Sequence, residues 1–250
     1  MFLNTVQPET VSLFSSTGSE PLALFSVARD ESLPAESFVH LLHDKSSLPA
    51  AREPCTAITP PEIQPAADSE EERRGLCLSQ TVLHMQSPTL HTTYIRCPSS
   101  KASILGLKHP WLHIQARDMG REWSFEVGLV DRLGGTGIVR VSTFQKEPRL
   151  TPSNPALLHL PLSFPSISSQ PLTTWTTVTL NLPGLLPHFS SPSMYPHGSD
   201  FSPAPALGVF SHVSFVKVYA TCRLRRIWFN QGGPSKEPPW EFELYGDEYR

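Results

Sequence analysis

The residues with the most chemical potential in this sequence lie in one stretch, Val213 to Phe229, which reads VSFVKVYATCRLRRIWF. Lys217, Arg223, Arg225 and Arg226 occur there with no acidic residue between its ends. Such a cluster can form an electropositive surface for an acidic partner such as tubulin or nucleic acid. It can equally be a solvated face whose long stems cover apolar surface and whose charges pair with carboxylates such as Glu126. On charge alone the second reading is the commoner one. A strand repeats every two residues, so Arg223 and Arg225 are expected on one face with Ile227 and Phe229, and Arg226 on the other with Leu224 and Trp228.

The remaining constellations point away from catalysis. The sequence has no CxxC, HExxH, GxSxG or phosphate-loop pattern. Gly134, Gly135 and Gly137 form a GGTG, but it joins two strand-like runs and no Lys-Ser/Thr follows, so a hairpin turn is the expected role. His109 and His113 flank Pro110 and Trp111; a spacing of four serves a metal when a helix puts both rings on one face, and Pro110 and the following strand prevent that. A Ser-His-Asp triad is assembled in space, and nothing here singles one out. The expectation is a protein that is not an enzyme, with no catalytic, cofactor-binding or metal-ligating residues.

The elements that must carry these residues are mostly strands. Apolar residues recur at a spacing of two, with β-branched and aromatic enrichment. The clearest runs are Thr10 to Phe14, Leu22 to Val27, Leu78 to Met85, Thr92 to Cys97, Trp111 to Arg117, Glu122 to Asp131, Gly137 to Phe144, Thr173 to Leu182, His212 to Ala220 and Cys222 to Phe229. No helix longer than about two turns is expected. Phe125, Val127 and Leu129 alternate along one strand, Asp131 to Gly135 supply turn chemistry, and Val139, Val141 and Thr143 return, which predicts a β-hairpin. A second reversal or bulge is expected near Ala220 to Cys222.

Three stretches break the pattern: 30–74, 146–171 and 183–205. They hold much of the proline, which at 26 residues against 14 glycines shortens what can be sheet or helix. The first ends in the acidic run Asp68 to Glu72. All three are expected to be disordered insertions, and the stretch from Asp30 to Arg74 to be dispensable for folding. The fold class is therefore all-β: a single antiparallel β-sandwich or jelly-roll-like domain over residues 1–250, interrupted by these loops. No apolar run is long enough to span a bilayer, and MFLNTVQPET lacks the basic start and apolar centre of a signal peptide. Cys55, Cys77, Cys97 and Cys222 are scattered and read as free thiols of a reducing compartment.

Beyond these patterns, VKVYATCRLRRIWF resembles the most distinctive stretch of the cilia- and flagella-associated protein 20 family. Met1, Phe2, Asn4, Thr5 and Gln7, then Ser16, Gly18, Ser19, Pro21 and Leu22, are similar to that family's N-terminal segment. So are Thr93, Tyr94, Ile95, Cys97 and Pro98, with Leu105, Gly106 and Lys108. Phe125, Glu126, Val127, Asp131, Arg140, Ser142 and Gln145 continue the match, as do Trp175, Asn181 and Leu182, and finally Glu241, Phe242, Leu244 and Tyr245. The resemblance covers nearly all the expected strands and leaves out the three proline-rich stretches. It implies a non-catalytic sandwich, similar to carbohydrate-binding modules, that acts as a structural component of the axoneme. The implied place is the inner junction of A and B tubules, with contacts to tubulin, to the Parkin co-regulated protein and to other inner-junction proteins. The implied location is the cilium or flagellum, its basal body or centriole, or more generally the cytoskeleton, the cytoplasm or the nucleus. Leu3 and Glu20 stand where the family usually has lysine, and the net charge of -3 contrasts with a basic family.

Two other readings compete with the microtubule one. A ligand-binding module would use Trp111, Trp123, Trp175, Trp228 and Trp240 as stacking platforms, although tryptophans inside strand runs are more often core. A nuclear nucleic-acid-binding role shares the basic stretch but lacks the interleaved exposed aromatics of a base-stacking surface.

Overall fold

The computed structural model describes residues 1–49, 78, 80–165, 174–194, 206–235 and 237–244. The described residues form thirteen strands: β1 (Thr10–Ser15), β2 (Ser26–Ala28), β3 (Phe38–His43), β4 (Thr81–Gln86), β5 (Tyr94–Cys97), β6 (Trp111–Arg117), β7 (Ser124–Asp131), β8 (Thr136–Ser142), β9 (Arg149–Thr151), β10 (Ala156–Pro161), β11 (Trp175–Asn181), β12 (Phe210–Tyr219) and β13 (Cys222–Asn230). The α-helix among the described residues, α1 (Leu182–Leu185), is a single turn with Pro183 inside it and Asn181 as its N-cap.

The strands make two sheets packed as a sandwich. Sheet A runs β11-β6-β13-β4-β3, with β1 also paired to β13; sheet B runs β2-β5-β12-β7-β8-β10-β9. Every pairing is antiparallel except that of β10 with β8, which is parallel and departs from the antiparallel expectation. The hairpin read from sequence is β7–β8. Its turn is held by Asp131, whose Oδ1 accepts from the Leu133 and Gly135 amides at 2.9 and 2.7 Å, and whose Oδ2 accepts from the Gly208 amide at 2.7 Å. Those bonds hold the Asp131 carboxyl below its ordinary pKa. Gly134, at φ 86°, supplies the left-handed residue the turn requires.

Alternation places the core. In sheet B, Cys97, Val216, Val127, Val139, Leu158 and Leu150 are successive cross-strand partners, and all are fully buried. In sheet A, Leu112, Ile114 and Ala116 of β6 and Leu224, Ile227 and Phe229 of β13 face them within one core cluster. Cys97 and Cys222 are buried free thiols in this core. Burial raises both pKa values, that of Cys97 to about 12, so neither is a reactive thiolate. Cys55 and Cys77 lie outside the described residues.

Each of the ten expected runs contains a strand, with ends displaced by a few residues. Three strands come from stretches expected to be disordered: β3 from 30–74, and β9 and β10 from 146–171. Short 3₁₀ turns, Leu186–Ser190 and Pro192–Met194, occupy the start of 183–205. The reason is position in the sheets. β3 and β9 are edge strands, which pair on one side only and tolerate flanking prolines, and β9 is three residues long, so neither shows as a clear period-two run within a proline-rich stretch. The rest of these stretches lies outside the described residues.

The correction matters most at Asp44, just after β3. Its side chain has no exposure, and it is a convergence point for sheet A. Oδ1 accepts from Arg223 at 2.6 Å and Arg117 at 3.1 Å, while Oδ2 accepts from the Trp175 indole at 2.9 Å and the Leu78 amide at 2.8 Å. Trp175, Leu78, Leu42 and Val82 form a second apolar cluster around it. The segment carrying β3 is therefore part of the folded domain. Asp44→Ala is expected to lower unfolding free energy by about 3–5 kcal/mol, because it leaves a buried guanidinium without its carboxylate. Urea unfolding followed by tryptophan fluorescence checks this, and a loss under about 1 kcal/mol would show the cluster to be solvated.

Candidate functional site

Lys217, Arg223, Arg225 and Arg226 do not share a surface. β12 belongs to sheet B and β13 to sheet A, and the chain passes from one sheet to the other at Ala220 and Thr221. The expected basic strand pair is therefore split between two sheets. On β13 the register shifts between Leu224 and Arg226, so Arg225 is an extra residue of a β-bulge. This moves Arg226 to the face of Arg223 and Trp228, and leaves Leu224, Ile227 and Phe229 on the core face. The assignment of Arg223 and Arg225 to the face of Ile227 and Phe229 is overturned by that bulge.

All three arginines are buried, at 7%, 1% and 7% exposure. Arg223 donates to Asp44 Oδ1, to the Asp44 carbonyl at 2.7 Å and to Ser47 Oγ at 2.7 Å. Arg225 donates to Gln80 Oε1 at 2.9 Å, to Gln115 Oε1 at 2.6 Å and to the carbonyls of Glu241 and Phe242. The Arg226 guanidinium lies over the Phe242 ring at 4.8 Å, and burial lowers its pKa. The 3₁₀ turn Trp240–Phe242 thus covers this face, with Phe242 also edge-on to Trp228 at 5.2 Å. Arg223 and Arg225 are hydrogen-bonded within the protein, Arg226 rests on a ring, and the carboxylate of Glu126 is taken by Arg140.

Lys217 alone of the four is partly exposed, and it marks a different surface. Ser26, Arg96, Lys217, Glu126, Arg140, His159 and Arg149 are successive cross-strand partners, one from each strand of sheet B. They sit between the rows of fully buried core residues, so by alternation they lie on the outer face. The row holds four cations and one carboxylate. Arg140 is bound to Glu126 by two bonds to Oε1, at 2.8 and 2.5 Å. The Lys217 ammonium lies 3.7 Å from the Tyr94 ring centre and 4.3 Å from that of Tyr219, and the Arg96 guanidinium 5.0 Å from that of Phe215. Burial lowers the Lys217 pKa, against the attraction of Glu126. The His159 pKa is lowered by burial and then by Arg140 and Arg149, which keeps its ring neutral at pH 7. This is an electropositive sheet face in which cations are held in place by rings and by one carboxylate.

The CFA20 domain matches residues 74–245 of this chain. The chain belongs to that family. The cilia- and flagella-associated protein 20 of Chlamydomonas reinhardtii is 27% identical over 169 residues, covering 67% of this chain and 75% of the relative. Those of Caenorhabditis briggsae and Caenorhabditis elegans are each 22% identical over 246 residues, covering 98% of this chain and 91% of the relative.

The other sequence candidates fall inside the domain. Trp123, Trp175 and Trp228 are buried and so offer no stacking platform, Trp111 is partly buried, and Trp240 is exposed. His109 bonds the Pro8 carbonyl at 2.7 Å, while His113 bonds Thr179 at 2.9 Å and Asn230 at 3.1 Å and stacks on Trp228 at 4.8 Å. Neither ring is directed at a shared ligand. The row on sheet B was not read as a site from sequence. Its signal is a single polar residue between apolar neighbours in YIRC, GIVRV and LLHL, which reads as ordinary strand alternation until the strands are laid side by side.

His113 generates a test. Burial lowers its pKa below the ordinary 6.5, so the unfolded chain takes up a proton first as pH falls. Its contribution to stability is full above 6.5 and is lost below that pH, down to the folded-state value. His113→Gln should flatten the fall in thermal unfolding temperature between about pH 6.5 and 5, relative to the parent protein. An unchanged slope would assign the acid sensitivity to other groups.

Proposed function

We propose that this chain is a non-enzymatic structural module of cilia and flagella. It attaches to the doublet microtubules of the axoneme, at or near the inner junction of A and B tubules, and supports axonemal structure and motility. Tubulin is its principal partner, with the Parkin co-regulated protein and other inner-junction proteins as neighbours. Membership of the CFA20 domain family and the names of its relatives support the cilium-related part of this reading.

The observation that carries the attachment is the cation row on the outer face of sheet B. Microtubules present an acidic surface, and a partly exposed line of cations with one carboxylate gains long-range attraction and paired contacts there. Lys217 belongs to this surface directly. Arg223, Arg225 and Arg226 contribute by fixing β13 and the C-terminal turn, and hence the sandwich that displays it.

Pelleting with doublet microtubules tests the reading. The parent protein should co-sediment at low salt and be released as ionic strength rises, since exposed charges are screened over about 10 Å at 0.1 M. The double variant Lys217→Glu and Arg149→Glu should lose about tenfold or more in affinity, equal to 1.4 kcal/mol, while circular dichroism reports an intact sheet. Equal pelleting of a folded double variant would remove this face from the interface. No pelleting of the parent protein at any salt concentration would refute direct attachment.

A further inference from the structure

The outer face of sheet B carries a second row beside the charged one. Phe215, Gly128, Ile138, Leu157 and Thr151 are successive cross-strand partners, two residues along each strand from Lys217, Glu126, Arg140, His159 and Arg149. Phe215, Ile138 and Leu157 are all partly exposed. Two residues along a strand is about 6.7 Å, and strands are about 4.8 Å apart, so Arg96 and Arg149 lie about 24 Å apart along the charged row. The face is thus a narrow cationic line with an apolar line parallel to it, both crossing the strands.

From this geometry we propose that sheet B captures one extended, acidic polypeptide segment of a partner, laid across the strands, with carboxylates on the charged row and apolar side chains on the Phe215–Ile138–Leu157 row. The inference rests on the attachment reading above and names the chemistry of the partner at that surface. An extended chain advances about 3.3 Å per residue, so about seven or eight residues span the row. Neighbouring side chains of such a chain point to opposite sides, which matches two parallel rows of different character. A segment in which glutamate alternates with an apolar residue meets both at once.

Two observations favour a polypeptide over a nucleic acid. Base stacking needs open ring faces, whereas the rings of Tyr94, Tyr219 and Phe215 are capped by Lys217 and Arg96, and Tyr219 is 3% exposed. Glu126 also sits in the middle of the row. A nucleic acid is charged at every nucleotide and meets that carboxylate wherever it crosses, but a peptide can place a neutral residue there.

The test uses the full chain and three fluorescent probes at low ionic strength, read by anisotropy: an octapeptide alternating Glu with Leu, its Lys-for-Glu counterpart, and an eight-nucleotide oligo(dT). The Glu-Leu peptide should bind at least about tenfold more tightly than either of the others. Arg149→Glu should weaken it several-fold, while Glu126→Gln, which removes the repulsive group, should tighten it by about threefold. These opposite signs separate recognition from a general loss of structure, and thermal unfolding of both variants confirms folding. Equal binding of oligo(dT), or no preference for Glu over Lys, overturns the proposal. If microtubules pellet the protein but the Glu-Leu peptide does not bind, this inference falls while attachment stands. If the peptide binds and microtubules do not, attachment falls and the acidic-segment site stands.

Discussion

The carboxylate of Asp44 is buried without exposure, and the placement of sheet A depends on how its charge is met. Two guanidiniums, an indole N–H and a backbone amide converge on its two oxygens, from β13, β6, β11 and Leu78. A carboxylate in that position is tolerated only when its lone pairs are filled, because desolvation otherwise costs several kcal/mol, on the order of the whole stability of a domain. A strand as arginine-rich as β13 is buried along its whole length because each guanidinium meets a different neighbour. Arg223 is neutralised by Asp44, Arg225 is held by glutamines and carbonyls, and Arg226 rests on Phe242.

Among the described residues, one outer face is covered and the other reaches solvent. In sheet A the C-terminal turn lies over the arginines and Trp228, so the charges there act inward. In sheet B the row from Arg96 to Arg149 reaches solvent with Glu126 as its one carboxylate. Lys217 held between two tyrosines, and Arg140 held by Glu126, lose less side-chain freedom on meeting an acidic group than free surface lysines do. Order in the unbound protein is what turns a modest charge excess into a directional surface. The overall net charge of -3 conceals this, because charge is averaged over segments that do not share a face.

Much of the fold was legible in the chain itself. Period-two alternation located strands within all ten expected runs, Asp131 to Gly135 marked the β7–β8 turn, and the resemblance carried by VKVYATCRLRRIWF agrees with the family match. Three strands escaped: β3 and β9 are sheet edges paired on one side only, and β10, although paired on both sides, lies with β9 in a proline-rich stretch whose composition reads as loop. Of the expected site residues, only Lys217 lies on the exposed face. Arg96, Arg140 and Arg149, which complete that face, all lie far before Lys217 in the chain.

The sequence by itself determined what local chemistry can determine: strands rather than helices, a glycine-bearing hairpin, the absence of the usual catalytic motifs, and membership of a family. Tertiary structure decided which strands became neighbours. One bulge at Arg225 exchanged the faces of β13, the passage at Ala220 and Thr221 sent Lys217 and the arginines to different sheets, and Asp44 claimed the charge that sequence had offered to a partner. The cation row exists only because seven strands, drawn from Ser26 to Lys217, pair in one register. Register is set by long-range ladders and by the burial of the opposite face, and a local pattern of period two contains neither.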